Sequence, residues 1–316
     1  MTISIITPAY NPGSLIYETF ESLEKQTYKD FEWVIVDDCS NQENKDIFKN
    51  IQKQASFSVV IISNKTNLKQ AKSKNIGLNY AKGKYIKFLD ADDLLDRKHL
   101  ENQLKQINKL NDEYAIYSPT ANFTNTIDNS SINTHYKYIK NNNISQLNEF
   151  LVYPFFSHCS CLFHKSSLLN ILGFNEKLIT DEDGDLIIRL MLNNILFVVE
   201  DKSCYYYRQH NKTTRVSLND NEEKWKARLD VCLEIENKLN GKYKNSKEAL
   251  AQRLDTLGLA CFEYSQNLAQ EFFENAKRIY PNYSKPGNFL PKLIRTFFGI
   301  RGYYFFKNLK KQSYKE

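Results

Sequence analysis

Three carboxylates within four positions, Asp90, Asp92 and Asp93, close an apolar run from Tyr85 to Leu89. The run reads as a short buried strand, and strands of open α/β sheets deliver their last residues to the carboxyl edge, where ligands bind. Carboxylates crowded there repel one another unless a cation lies among them. Hard oxygen donors at this spacing suit Mg²⁺ or Mn²⁺, ions that in turn suit a phosphate. The competing reading is ordinary N-capping, with Asp93 capping a helix that begins near Asp96. A second acidic run, Thr180–Asp181–Glu182–Asp183–Gly184–Asp185, precedes the helical spacing Leu186, Leu190. Acidic residues favour a helix N-terminus through its dipole, but four carboxylates in five positions exceed what capping needs. The run is therefore a candidate site, able to supply a general base that takes a proton from a hydroxyl.

The elements that must position these groups follow from periodicity and punctuation. Ile3 to Thr7 is a β-rich run closed by Pro8, with Asn11–Pro12–Gly13 as a loop. Leu15, Phe20 and Leu23 carry a helical spacing up to Gln26. Phe31 to Val36 is a second buried strand ending in Asp37–Asp38–Cys39–Ser40. A helix from about Asn44 to Gln54, a strand from Val59 to Ile62 and a helix from Lys69 to Ala81 lead to the strand that delivers Asp90. Strands alternating with helices of this length imply right-handed βαβ crossovers and a largely parallel sheet. Asp37–Asp38 and Asp90 to Asp93 then share one edge and face one cleft. No G-x-G-x-x-G and no G-x-x-x-x-G-K-[ST] occurs, so neither a dinucleotide fingerprint nor a P-loop is present. A nucleotide site built on acidic residues must hold its diphosphate through a metal.

Composition narrows the class. With 316 residues, 41% hydrophobic and 25% charged, the chain is expected to form a globular catalytic domain with an appendage. It has no apolar run of the ~20 residues a spanning helix needs, and its start lacks the pattern of a signal peptide. Six cysteines without framework spacing fit reduced thiols, so a cytoplasmic location is expected. From Lys285 to Glu316 there are eight basic residues and one acidic, +7 of a whole-chain +6, which leaves the other 284 residues at −1. A near-neutral body with one basic tail argues against nucleic acid as a partner.

The motifs Thr7–Pro8–Ala9–Tyr10–Asn11, Val36–Asp37–Asp38–Cys39–Ser40, Asn75-x-Gly77 with Ala81-x-Gly83-x-Tyr85–Ile86, and Leu89 to Asp93 resemble the successive signatures of family 2 glycosyltransferases. Gly173–Phe174, the run Asp181 to Asp185 with Arg189–Leu190, and Tyr207–Arg208–Gln209–His210 extend the resemblance, which covers about residues 1 to 216. It implies the A-type glycosyltransferase fold, an α/β architecture with a mostly parallel sheet flanked by helices and, here, a C-terminal helical extension. It further implies a metal-dependent, inverting transfer from a UDP-sugar to a hydroxyl of a growing surface glycan or glycolipid. Pro8, Ala9, Tyr10, Asp38, Lys74, Asp90, Ala91 and Asp92 would bind the nucleotide-sugar, with Asp38 reading the uracil edge. Asp92 and His210 would hold Mn²⁺ or Mg²⁺, Asp183 would be the base, and Glu182 would orient acceptor hydroxyls. Lys69 stands where many relatives carry Gly, and Lys74 where Arg usually precedes Asn75; both keep positive charge near the expected diphosphate.

Other readings remain. A nucleotidyltransferase also uses an acidic metal site on an α/β sheet, but would carry a basic Gly-rich loop after its first strand. A non-catalytic sugar- or membrane-binding module on the same fold would not need both Asp92 and Asp183. His158–Cys159–Ser160–Cys161–Leu162–Phe163–His164 invites a zinc reading, but on a strand the two cysteines point one way and the two histidines the other. The segment is expected instead to be a strand lining the acceptor side of the cleft. Trp225, Leu229, Cys232 and Leu233, then Leu250, Leu254, Leu257 and Cys261, give helical stripes for an extension over 217–284. The tail at 285–316 interleaves its cations with Phe297, Phe298, Tyr303, Tyr304, Phe305 and Phe306, a pattern suited to peripheral contact with an anionic membrane surface; a terminal helix with a solvated basic face is the alternative. No residue pattern points to an oligomeric state.

Overall fold

The structure, a computed structural model, describes residues 1–124, 127, 133–135, 142–209, 221–239 and 241–283. The strands are β1 (Ile3–Ala9), β2 (Phe31–Asp37), β3 (Ser58–Ser63), β4 (Tyr85–Phe88), β5 (Leu94–Leu95), β6 (Tyr114–Tyr117), β7 (Thr120–Phe123), β8 (Asn133–His135), β9 (Cys161–His164), β10 (Leu196–Val199) and β11 (Tyr205–Arg208). Between them lie α1 (Leu15–Glu24), α2 (Gln42–Gln54), α3 (Lys69–Tyr80), α4 (His99–Ile107), α5 (Asn143–Val152), α6 (Lys165–Asn170) and α7 (Glu182–Leu192). The chain continues into α8 (Glu222–Lys238), α9 (Lys247–Cys261) and α10 (Gln266–Ile279).

The described strands form a seven-stranded sheet in the order β10-β6-β9-β4-β1-β2-β3 and a four-stranded sheet β5-β11-β7-β8. β1 pairs in parallel with β2, Ala9 opposite Asp37, and with β4, Ile6 opposite Phe88. Main-chain bonds carry this register past the strand ends: Asp38 N donates to Ala9 O (2.8 Å) and Leu89 N to Ile6 O (3.0 Å). The two acidic clusters therefore leave the sheet on one edge, as the alternation of elements requires. β1 and β2 are almost wholly buried, as strands covered by helices on both faces must be. α3 lies so close to them that a Cβ on Gly77 would sit 2.4 Å from Ile6 Cγ2. This approach explains why the helix carries glycine there.

Two expectations fail. The segment from His158 does not form one strand: His158–Ser160 is a 3₁₀ turn capped by Ser157, and only Cys161–His164 is strand. That strand lies inside the main sheet, antiparallel to both β4 and β6. Asp93 caps no helix either, because α4 starts at His99 and the Asp93 carboxylate is buried against β11. There it accepts from Tyr205 Oη and from Arg208 N (2.7 Å).

α8, α9 and α10 share one continuous apolar core with the sheet domain, through residues such as Trp225, Leu254 and Phe272. α9 packs on α5 of the sheet domain. The expected boundary at 216/217, the ligand candidate His210 and the basic tail all lie outside the described residues. Among the described residues no helix is long and apolar enough to cross a membrane.

Candidate active site

The site grows from the carboxyl edge of β1, β2 and β4. Tyr10 leaves β1 with 57% of its surface exposed, beyond Pro8 and Ala9. Its loop is pinned to the turn after β2: Asn11 N donates to Ser40 Oγ (3.0 Å) and Asn41 N donates to Asn11 Oδ1 (2.9 Å). Asp38 is buried and ties down the loop after β3. Its Oδ1 accepts from Leu68 N (2.8 Å) and Asn64 Nδ2 (2.9 Å), and its Oδ2 from Lys69 N (2.9 Å). Asp38 thus shapes the wall of the site, whatever else it accepts from. Ala91 O accepts from Thr19 Oγ1 (3.0 Å), which fixes the acidic loop to α1, and Asp92 O accepts from Arg208 Nε (2.8 Å). Arg208 also reaches Glu18 (2.7 Å) and lies over the Phe123 ring. The chain two residues before His210 is therefore fastened to the Asp92–Asp93 corner.

Asp183 stands in the first turn of α7, and two cationic or protonatable groups converge on it. Lys74 Nζ, on a side chain with no exposed surface, donates to Asp183 Oδ1 (3.0 Å). His158 Nδ1 lies 3.2 Å from Asp183 Oδ2. Asp183 keeps 45% of its side-chain exposure and so presents an open side to solvent. Burial of the group works to raise its pKa, but His158 and Lys74 outweigh it and hold the carboxyl below its ordinary range. Burial likewise opposes the charge on Lys74, and Asp183, backed by Asp90 and Glu182, overcomes it and keeps the ammonium charged.

A chain of contacts between sequence motifs explains this convergence. Asn75, beside Lys74 on α3, receives Phe174 N at its Oδ1 (2.8 Å) and donates to Phe174 O (2.9 Å). Gly173 has φ +67, and a Cβ there would lie 2.4 Å from Asn75 Oδ1, so both backbone angle and space call for glycine. The lock sets the Phe174 ring 4.9 Å from Lys74 Nζ. Downstream, Asp185 is buried and accepts from Arg189 Nε (2.6 Å), while Arg189 Nη1 donates to Ile171 O (2.8 Å). Asp185 is thus tied up in the fold, and through Arg189 it joins α7 to the Gly173 loop.

His158 was missed by sequence reasoning. β9 runs antiparallel, so its first residues rather than its last lie on the site edge, and the 3₁₀ turn brings His158 and Cys159 toward Asp90. Donor atoms of Asp90, His158 and Cys159 lie within 4.8 Å of one another. The one local signal was Ser157, whose hydroxyl accepts from Cys159 N and starts the turn. Burial pushes the Cys159 thiol well above its ordinary pKa, which keeps it protonated and a poor metal ligand. Burial also raises the Asp90 carboxyl, with Lys74 and His158 opposing the rise and Asp92 and Asp183 adding to it. Carboxylates that penalise each other in this way are what a hard divalent cation relieves, so the Asp90–Asp92 donor set fits Mg²⁺ or Mn²⁺ better than a thiophilic ion.

A family model for glycosyl transferase family 2 matches residues 4–172, more than half of the chain. The chain belongs to this family. As a family 2 glycosyltransferase it is 33% identical over 221 residues to an uncharacterised glycosyltransferase of Methanocaldococcus jannaschii, a match covering 68% of this chain and 73% of that one. It is 40% identical over 102 residues to the Escherichia coli UDP-Glc:alpha-D-GlcNAc-diphosphoundecaprenol beta-1,3-glucosyltransferase WfaP, covering 32% of this chain and 39% of that one. The fold is the A-type glycosyltransferase fold. Staphylococcus aureus TarS 1–349, solved in complex with UDP-GlcNAc, superimposes with a TM-score of 0.69 at 21% identity over 99% of this chain and 92% of that one.

Proposed function

We propose that this glycosyltransferase moves a hexose or N-acetylhexosamine from a UDP-sugar to a hydroxyl of a growing surface glycan, with inversion at the anomeric carbon. The observation that carries the reading is Asp183: an ionised, half-open carboxylate on the first turn of α7, held by Lys74 and His158 beside the acidic edge of the sheet. The naming of WfaP as a glucosyltransferase that uses UDP-Glc supports a UDP-sugar donor and a lipid-linked glycan acceptor. The UDP-GlcNAc bound to the similarly folded TarS supports the same donor class.

In this reading Asp183 accepts the acceptor proton. A carboxylate held below its ordinary range is a weak base, but the hydroxyl becomes acidic as its oxygen bonds to C1, so late transfer suits it. Glu182 orients acceptor hydroxyls. Tyr10 lies over the nucleobase, Asp38 shapes its pocket and receives the imide N–H, and Pro8, Ala9 and Ala91 supply main chain. Asp92 with Asp90, and His210 after Arg208, would hold Mn²⁺ or Mg²⁺, whose Lewis acidity neutralises the departing diphosphate. Lys74 supplies cationic charge from beneath the site. One base and a direct displacement give inversion.

The test separates base from binding. Asp183→Asn is nearly isosteric, so UDP affinity measured by calorimetry should persist while turnover falls about 10²-fold or more. Lost donor affinity with near-normal turnover at saturation would make Asp183 a binding residue. Asp92→Ala should weaken UDP binding in Mn²⁺, and full wild-type activity in excess EDTA would remove the cation from the scheme.

A further inference from the structure

Asp181, immediately before α7, has left-handed backbone with φ 59. Its carboxylate is gripped by two arginines from the C-terminal helices. Arg253 Nη2 of α9 donates to Oδ2 at 3.2 Å, and Arg228 Nε of α8 lies 3.9 Å from Oδ1. Both arginines are mostly enclosed, with side-chain exposures of 8% and 14%. The Arg228 guanidinium is set by stacking over the Trp225 ring, 4.3 Å from its centroid. Arg253 also packs close under the start of α7: a Cβ added to Gly184 would meet its Nη2 at 3.7 Å. Asp185 N closes the turn onto Asp181 O (3.0 Å).

Left-handed geometry is tolerated by aspartate but not preferred, so something must select it here. Four carboxylates, Asp181, Glu182, Asp183 and Asp185, also crowd one helical turn. Lys74 and His158 meet this charge from the sheet side, and Arg228 and Arg253 meet it from the helical side. Charge-assisted bonds of this kind are directional as well as strong.

We infer that Arg253 and Arg228 are positioning residues for the transfer reaction: by pinning Asp181 in its left-handed turn they set the angle at which α7 presents Asp183. The C-terminal helices then complete the catalytic site rather than merely covering it. The inference rests on Asp183 being the base.

The experiment uses the full chain and four variants, Arg253→Gln, Arg253→Lys, Asp181→Gly and Asp183→Asn. Glycine keeps the left-handed turn but removes the carboxylate, so Asp181→Gly tests the clamp without backbone strain. Both Arg253→Gln and Asp181→Gly should lower kcat about tenfold to a hundredfold, the scale of an ångström-sized misplacement. UDP affinity by calorimetry should stay within about twofold, and Arg253→Lys should recover part of the loss. Combining Arg253→Gln with Asp181→Gly should be no worse than Asp181→Gly alone, because removing the carboxylate already removes the Arg253 contact. Unchanged kcat with a lowered Tm, or fully additive losses, would overturn the inference. If Arg253→Gln does not fold, Asp181→Gly alone decides, since normal kcat there is enough to reject the clamp. Near-normal turnover in Asp183→Asn would overturn the base assignment, and the inference with it, regardless of what the arginine variants do.

Discussion

Lys69 shows how one residue can depart from a pattern and still satisfy it. Its φ is +71, left-handed backbone where a side chain is strained, and its N–H is held by Asp38 Oδ2 and Asn67 Oδ1 (3.2 Å). Glycine would adopt this angle freely. Relief of left-handed strain, about 1–2 kcal/mol, less the extra unfolded-state entropy of glycine, about 0.5–1 kcal/mol, should leave Lys69→Gly about 0.5–1 kcal/mol more stable. A denaturant midpoint that falls instead would mean that the exposed lysine makes a stabilising contact. Single residues were also where the sequence was most informative about chemistry. Asp90, Asp92 and Asp183 stood out because so many like charges at such spacing exceed what helix capping needs. Lys74 was placed by its neighbours, yet its bond to Asp183 was invisible, since 109 positions separate them. His158 was hidden because strand alternation, the only rule available locally, gave it the wrong direction.

Elements divide along the same line. β1 to β4 and the helices between them were readable because each buried strand, and each helix bounded by turn residues, declares itself within about a dozen residues. β9 was expected as a strand, but its start and its place were not legible, because a four-residue strand paired antiparallel to two distant strands owes them to tertiary partners. One partner is a lysine. Lys87 on β4 is fully buried and donates to Cys159 O (2.9 Å), Cys161 O (3.4 Å) and Gln103 Oε1 (3.5 Å). It thereby fixes the turn that carries His158. Burial lowers its pKa from 10.5 to about 8. The unfolded chain therefore binds the proton more tightly than the folded one, and stability gains from this group as pH rises from about 8 to about 10.5. The full increment is on the order of 3 kcal/mol. The stability difference between wild type and Lys87→Met, followed by urea titration across that range, should grow in favour of wild type. A flat difference would place the lysine in contact with water.

On the scale of the whole molecule, charge is unevenly distributed along the sequence. A near-neutral body, with its core running from β1 to α10, precedes a segment at 285–316 with eight cations. We propose that this segment holds the enzyme at an anionic membrane surface near a lipid-linked acceptor. Each basic residue close to such a surface contributes on the order of 1 kcal/mol, and aromatic burial adds to it. Attachment should weaken as salt shortens the Debye length from about 10 Å at 0.1 M to about 3 Å at 1 M. Deleting residues from Pro286 onward should release the protein from anionic vesicles in sedimentation and spare hydrolysis of the donor in solution. A truncated protein that still sediments, or that fails to fold, would make the segment structural. The helical extension expected from periodicity is present as α8, α9 and α10, but the stripes of α8 and α9 could not announce that their arginines reach Asp181.

The ion pair between Lys74 and Asp183 also orders events in time. At about 5–20 residues per second, the partner of Lys74 leaves the ribosome roughly 5–20 s after Lys74 itself. Until then a lysine destined for complete burial lacks the carboxylate that hydrogen-bonds it and has only the weaker support of Asp90, so dehydrating it is costly. α3 therefore has to wait, solvated and loosely docked, with the Phe174 ring and the Asn75 lock also still to come. A chain ended at Leu172 should accordingly expose α3 to protease, whereas one ended beyond α7 should protect it. Equal protection in both would show that the lysine finds another way to lose its water.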